Sequence, residues 1–237
     1  MGRLEFDENG ALLFKGKTIV PKARTAKEML PVVHFPEKMN LPDGEPTYYM
    51  YREADRFGNI RYDVTKIRPL DLCSEKNKTY GHVHPESKAG AAWAEVYEVL
   101  SGAAHFLLQK TSSTGVVDAL LLSAERGDCL LIPPGYGHIT INAGKGELIL
   151  ANLVSDDFEA DYSMFAKRRG GCYYEMSDGK LVKNTLHYGS DFELRKMGAE
   201  KFSSQFGVFE PFLKASLLEV AKKRQALEFL EKPELFC

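Results

Sequence analysis

The sequence predicts a mainly β protein, a closed sandwich or barrel, with an extended arm near its N-terminus and a helical extension at its C-terminus. Three observations carry this. Eight short apolar or alternating runs follow one another between residues 47 and 154, turn-forming residues separate them, and helical spacing appears only after residue 211.

Taken in order, residues 31–46 (PVVHFPEKMNLPDGEP) hold four prolines and read as an irregular, extended arm. The runs 47–52, 62–67, 94–100, 104–109, 115–122, 128–134, 138–142 and 147–154 are mostly rich in β-branched or aromatic residues. Gly102, Gly115, Gly127, Gly135 and Gly144 fall at the breaks. Regular spacing of this kind suggests a closed all-β architecture rather than βαβ units. From Pro211 on, Leu213, Leu217, Val220 and Leu227 recur at helical spacing, with Lys222, Lys223, Arg224 and Glu228 left for solvent. Pro211 suits a first helical turn and Pro233 a stop. The expected division is a β domain with its arm over residues 1–190 and a helical extension over 191–237, packed on it.

The 237 residues are 44% hydrophobic and 27% charged, with a net charge of −2. This is the composition of an ordinary soluble domain, with no basic excess to suit nucleic acid. The first residues carry acids and only a four-residue apolar run, so neither a signal peptide nor a membrane span is expected and a cytoplasmic protein is. Cys73, Cys129, Cys172 and Cys237 are far apart and read as reduced thiols.

The chemistry concentrates in three of the six histidines. His82 and His84 stand two apart, and on a strand such residues share a face. A single buried histidine is usually a hydrogen-bonded core residue, whereas two on one inner face are desolvated together unless a metal ion shares their lone pairs. Glu95 follows in AEVYEVLSG. His138 lies just beyond the turn Pro133-Pro134-Gly135, where proline fixes φ and glycine frees it, so the turn delivers His138 to the next strand at a set position. Three imidazoles and a carboxylate form a donor set for one divalent first-row ion and leave coordination positions open. His34, His105 and His187 are assigned ordinary surface or core roles, with no partner evident for His105. Trp93 and the aromatics at 48–51 are read as packing or interface residues.

Together these segments resemble the cupin superfamily, whose fold is a small β jelly roll. Glu95 and Gly102 fit the end of the first cupin motif, and Gly127 to Asn142 fits the second. Most cupins place three or four residues between the His pair and the Glu; here ten intervene, residues 85–94. In that insertion, and in the order of its blocks, the chain is similar to the archaeal-type glucose-6-phosphate isomerases. The blocks are Thr65-Lys-Ile-Arg-Pro69, Thr79-Tyr-Gly81-His82-Val-His84, Glu95-Val-Tyr97, and Leu100-Ser-Gly102 running on to Leu107-Leu108-Gln109. The likeness extends from about residue 17 to about residue 185.

The resemblance implies a cupin jelly-roll barrel that interconverts glucose 6-phosphate and fructose 6-phosphate. Its metal would be held by His82, His84, Glu95 and His138, with Fe2+ expected first and Mn2+, Ni2+ or Zn2+ as alternatives. Thr65, Thr79 and Gly81 match the positions that hold the substrate phosphate, and hydroxyls beside a side-chain-free backbone N–H can wrap an anion. Taken singly, Thr65 and Thr79 are simply good strand formers. Tyr97 and Tyr162 match substrate-contacting tyrosines, and Glu95 is the candidate base. A homodimer is expected, since such barrels pair through exposed edges. Two departures stand out: Ala160 occupies the place of a family histidine, and Leu153 that of a tyrosine. The rival readings are a metal-dependent cupin dioxygenase and a non-catalytic sugar-binding cupin.

Overall fold

The computed structural model describes residues 4–8, 10–113 and 115–236. β1 (Glu5–Phe6), β2 (Leu12–Phe14) and β3 (Lys17–Ile19) make a small antiparallel sheet, followed by β4 (Lys22–Thr25), β5 (Pro46–Phe57) and β6 (Ile60–Ile67). A short hairpin, β7 (Asp71–Leu72) and β8 (Glu75–Lys76), precedes β9 (Glu95–Ser101), β10 (Ala103–Ser112) and β11 (Gly115–Glu125). Next come β12 (Cys129–Ile132), β13 (Gly137–Asn142) and β14 (Leu148–Ser155), then the hairpin β15 (Tyr173–Glu175) and β16 (Leu181–Lys183), and finally β17 (Leu194–Gly198).

Two sheets form the body, one in the order β12-β9-β14-β6-β5-β4 and the other β13-β10-β11-β17. Among the described residues, only β11 and β17 run parallel within them. From β9 to β14 the chain crosses four times between the sheets, with β10 and β11 paired in one of them, and the whole is the double-sheet jelly roll that the resemblance implies. The eight apolar runs lie on β5, β6 and β9 to β14.

Strand alternation divides the six-stranded sheet into two faces. Met50, Ile67, Tyr97, Val99, Leu130 and Leu150 face inward and pack with Phe106, Leu108, Leu120 and Ile139 of the other sheet. Their neighbours Tyr51, Tyr62, Val64, Val96, Ala151 and Leu153 face outward. That outer face is covered by Leu12 and Phe14 from the N-terminal sheet and by Phe209, Phe212, Leu217, Val220, Leu227 and Leu230 from the C-terminal stretch.

Two local expectations are revised. The proline-rich arm contains two 3-10 turns, Leu30–Val32 and Pro36–Lys38, and buries Met29, Val32 and Val33 in the inner core. The C-terminal stretch is not one helix. A 3-10 segment, Gly207–Phe212, contains Pro211; a capped helical turn, Leu217–Ala221, follows Ser216; then come 3-10 Arg224–Leu227 and helix Glu228–Glu231. Ser216 and Glu219 form a reciprocal capping box, which starts a new helix where continuous periodicity was read. Lys223, at φ −100° and ψ 83°, breaks it again. No helix among the described residues is long and apolar enough to cross a membrane. Cys73, Cys129 and Cys172 are buried free thiols, and Cys237 lies outside the described residues.

His105 does have a partner. Its Nδ1 lies 2.7 Å from Glu175 Oε2, and Lys76 Nζ donates to Oε1 at 2.6 Å. Burial alone would raise the Glu175 pKa, but the bonds from His105 and Lys76 outweigh it and hold the carboxyl below its ordinary value. A depressed folded-state pKa stabilises the fold above the unfolded value, and that stabilisation is lost as pH falls through the folded one. Urea midpoints measured across the acidic range should therefore fall less steeply for Glu175→Gln than for the unsubstituted protein. Phe209→Ala should lower stability by about 3–5 kcal/mol at neutral pH, because it empties a fully buried position between the helical segments and the sheet.

Candidate metal centre and substrate cavity

Residues 78–84 lie antiparallel against β13. Lys78 bridges to Ile141 and His82 to His138, with His82 N–H donating to the His138 carbonyl at 3.2 Å and the reverse bond at 3.0 Å. The segment is held by isolated bridges and is not the regular strand that the His-x-His spacing suggested. Gly81, at φ +87°, turns the chain between them. A Cβ there would stand 2.6 Å from Ile139 Cγ1 and 2.9 Å from Phe165 Cδ1, so packing alone already demands glycine. On β13 itself, the Pro133-Pro134-Gly135 turn closes with Tyr136 N–H donating to the Pro133 carbonyl and sets His138 facing β9.

The ligand atoms of His82, His84, Glu95 and His138 all lie within 4.8 Å of one another. His82 Nε2 and His84 Nε2 are 3.1 Å apart. Glu95 Oε2 is 3.3 Å from the Nε2 atoms of both His84 and His138 and 3.9 Å from that of His82. The other carboxylate oxygen, Oε1, accepts from Asn152 Nδ2 at 2.7 Å. His84 Nδ1 lies 3.0 Å from the Trp93 carbonyl, which accepts its N–H and leaves Nε2 with the lone pair. Glu95 Oε2 is buried with no hydrogen-bond donor supplied to it. An anchored carboxylate with one oxygen aimed among three imidazole nitrogens fits a divalent ion.

The electrostatics agree with that fit. Burial lowers the His82 pKa well below its ordinary value, and the neighbouring His138 and His84 add to the effect. His138 is also lowered by burial, against the pull of Glu95. Burial would raise Glu95, but the close approach of His138 and His84 outweighs it and holds the carboxyl well below its ordinary value. For His82, His138 and Glu95 these directions favour a neutral imidazole and an ionised carboxylate, the forms that bind metals.

A cavity of about 560 Å³ opens beside this cluster, and Thr65, Thr79, Gly81, Tyr97 and Tyr162 all line it. Thr79 Oγ accepts from Thr140 N–H at 3.0 Å, which leaves its hydroxyl hydrogen free to donate. The Tyr97 hydroxyl is 3.3 Å from His138 Nε2, and burial pushes its pKa well above 10. The Tyr162 ring lies 5.5 Å from that of His82 and 5.8 Å from that of Tyr80. The structure thus brings every site residue picked from the sequence to one place.

A family model described as glucose-6-phosphate isomerase (GPI) matches residues 23–189. The chain belongs to that family. Glucose-6-phosphate isomerase of Thermococcus litoralis is 27% identical over 148 residues, which are 61% of this chain and 74% of that protein. The enzyme of the same name from Pyrococcus furiosus is 28% identical over 120 residues, 51% of this chain and 59% of that one. The chain therefore spans between about three fifths and three quarters of the length of these two relatives. Among solved structures, an oxalate oxidase in complex with the substrate analogue glycolate is similar over 50% of this chain and 56% of that one, at 15% identity and a TM-score of 0.39.

Within this GPI-family chain, one departure seen in the sequence changes meaning. Leu153 is fully buried on the outer face of β14, while its neighbours Asn152 and Val154 line the cavity, so position 153 offers nothing to a substrate. Ala160 does line the cavity. Sequence reasoning missed Asn152 and Arg52. The signal for Asn152 was present, as a polar residue in an apolar run at the inward-facing parity of Leu150 and Val154. Trp93 packs as expected, its ring stacked on Phe158, but its carbonyl also orients His84. Asn152→Ala should weaken binding of Mn2+ or Zn2+ by about 10–100-fold, the usual effect of losing a group that orients a ligand, as read by competition with a chromophoric chelator.

Proposed function

We propose that this chain interconverts glucose 6-phosphate and fructose 6-phosphate. The observation that supports this best is the convergence of His82, His84, Glu95 and His138 on one side of a cavity that also presents Thr65, Thr79 and Gly81, in a chain of the GPI family. The cavity volume is within the range of small-molecule sites. A divalent ion held by those four residues, Fe2+ in this reading with Mn2+, Ni2+ or Zn2+ suited to the same donors, would polarise the oxygens at C1 and C2 as a Lewis acid.

The chain's own residues have the remaining tasks. The Thr65 and Thr79 hydroxyls and the Gly81 N–H bind the phosphate, while Tyr97 and Tyr162 hold the sugar between phosphate and metal. Going from aldose to ketose, a hydrogen moves from C2 to C1 and a proton from O2 to O1. Glu95 Oε2 is the carboxylate oxygen able to take the C2 proton and return it to C1, since Oε1 is engaged by Asn152. The same anchoring favours a second course. With Oε1 held and Oε2 surrounded by three imidazoles, hydrogen passes directly from C2 to C1 and Glu95 serves only as a ligand. An oxygen-activating or purely sugar-binding cupin would leave the threonine cradle without a purpose. A cytoplasmic homodimer is part of the isomerase reading.

Turnover of fructose 6-phosphate, coupled to glucose 6-phosphate oxidation, should appear when one divalent ion is restored to stripped protein and should vanish in His138→Ala. No turnover with any of the four ions would end the isomerase reading. In deuterium oxide, label entering C1 of fructose 6-phosphate formed from glucose 6-phosphate, and lost in Glu95→Gln, would support Glu95 as base, whereas its exclusion would favour the direct transfer. Glu95→Gln that binds metal and keeps full turnover would remove Glu95 from the chemistry.

A further inference from the structure

The phosphate cradle of Thr65, Thr79 and Gly81 offers only neutral donors to a dianion. A dianion in a partly enclosed cavity also needs a cation, since phosphate is bound best through charge-assisted bonds. Two arginines line the cavity, Arg52 and Arg61. Arg61 is already committed, with Nη1 2.5 Å from Asp156 and Nη2 3.4 Å from Asp63.

Arg52 is held differently. Its Nη1 donates to Asp63 Oδ2 at 2.6 Å, and Asp63 is only 1% exposed. The other Asp63 oxygen accepts the Glu53 N–H at 2.7 Å, so the carboxylate is fixed in place and carries the guanidinium on it. On the far edge, Nη2 meets only the Met50 sulfur at 3.8 Å, a weak acceptor. The side chain is 49% exposed although it extends from the inner face of β5. A guanidinium has five N–H donors, and here one edge is anchored while the other opens to the cavity.

Position adds to the argument. Met50 pairs with Thr65 across β5 and β6, and the ladder then bulges between Tyr51 and Asp55, where Arg52 lies. Arg52 and Thr65 line the same cavity, on the sheet that also carries Glu95. Arg52, His82, Glu95 and Tyr97 all line this one cavity, which puts the guanidinium in the same small space as the candidate metal ligands. The acids Glu53, Asp156 and Glu159 also line the cavity, but Arg56 holds the first two at 2.7 and 2.8 Å.

We propose that Arg52, carried on buried Asp63, receives the phosphate of the sugar phosphate through its Nε and Nη2 edge and so sets the preference for a phosphorylated over a free sugar. The choice of ligand rests on the isomerase reading. The anchored guanidinium with a free edge does not.

The test is calorimetric binding of glucitol 6-phosphate and of glucitol to the metal-loaded protein; neither ligand has a carbonyl to isomerise. Arg52→Gln should weaken glucitol 6-phosphate by about tenfold or more, the loss of one charge-assisted hydrogen bond, and leave glucitol unchanged. Arg52→Lys should fall between, keeping charge without the fork. Because Arg52→Gln takes the nearest cation from a buried carboxylate, the double variant Arg52→Gln, Asp63→Asn gives the same reading if the single one does not fold. Equal affinity for glucitol 6-phosphate in variant and unsubstituted protein would overturn the proposal, as would equal weakening of both ligands. Fructose 6-phosphate turnover by the unsubstituted protein is measured alongside. Its absence, with Arg52-dependent binding of the phosphate ester intact, would remove the isomerase reading and leave Arg52 as a phosphate site.

Discussion

Three imidazoles and a carboxylate held almost out of water within one another's reach are the constraint on which this structure depends. A buried carboxylate is strongly unfavourable unless its oxygens are answered. Asn152 answers one oxygen of Glu95, and the other is turned toward three ring nitrogens. Every surrounding device keeps that arrangement from relaxing. The Trp93 carbonyl fixes the tautomer of His84, the paired backbone bonds between His82 and His138 fix the separation of two strands, and the Pro-Pro-Gly turn sets where β13 begins. A cluster assembled from such distant parts of the chain can be held only by a scaffold that is itself rigid.

The jelly roll supplies this rigidity by passing the chain repeatedly between its two sheets. Glu95 comes from the six-stranded sheet and His138 from the four-stranded one, so the centre lies where the two faces meet. The six-stranded sheet is packed on both sides. Its inner face meets the opposite sheet, and its outer face meets the N-terminal sheet and the C-terminal helical segments. The C-terminal segments pack on the face of the sheet away from the cavity and cover the backs of the strands that bear Glu95, Asn152 and Arg52. Phe209 and Leu217 therefore act on the site only through the sheet they hold flat against the core.

What could be read from the sequence was whatever depends on local period and on residue type. Alternation located β5, β6 and β9 to β14, and the His-x-His, Glu and Pro-Pro-Gly-x-x-His blocks located all four converging side chains. What could not be read depends on pairing across sequence distance. His105 and Glu175 are seventy residues apart and meet only through tertiary packing. Asn152 and Arg52 looked like ordinary strand residues until the register showed which carboxylates they hold. Leu153 looked like a missing site residue because parity on β14 cannot be settled until the strand is known to continue past it to Ser155. The C-terminal periodicity was real, since the apolar residues are buried. It misled about continuity because the Ser216–Glu219 capping box starts a new helix in the middle of the pattern.

The segment from Thr79 to His84 links the two ends of the cavity. In the isomerase reading it carries phosphate donors, Thr79 and Gly81, immediately beside metal ligands, His82 and His84. Its register is fixed against β13 by Thr79 N–H to the Thr140 carbonyl at 2.8 Å and by the His82–His138 pair. One short piece of backbone therefore sets the distance between the bound phosphate and the reacting carbons. Gly81 is required there by Ile139 and Phe165, whatever the ligand, and it also lines the cavity. Chain length in the substrate would then be measured by the backbone, and charge by a side chain from the opposite sheet. In that reading the two functions would be separable: a change at Arg52 would alter which anion is accepted without moving the ruler, whereas a change at Gly81 would displace both the cradle and the histidines beside it.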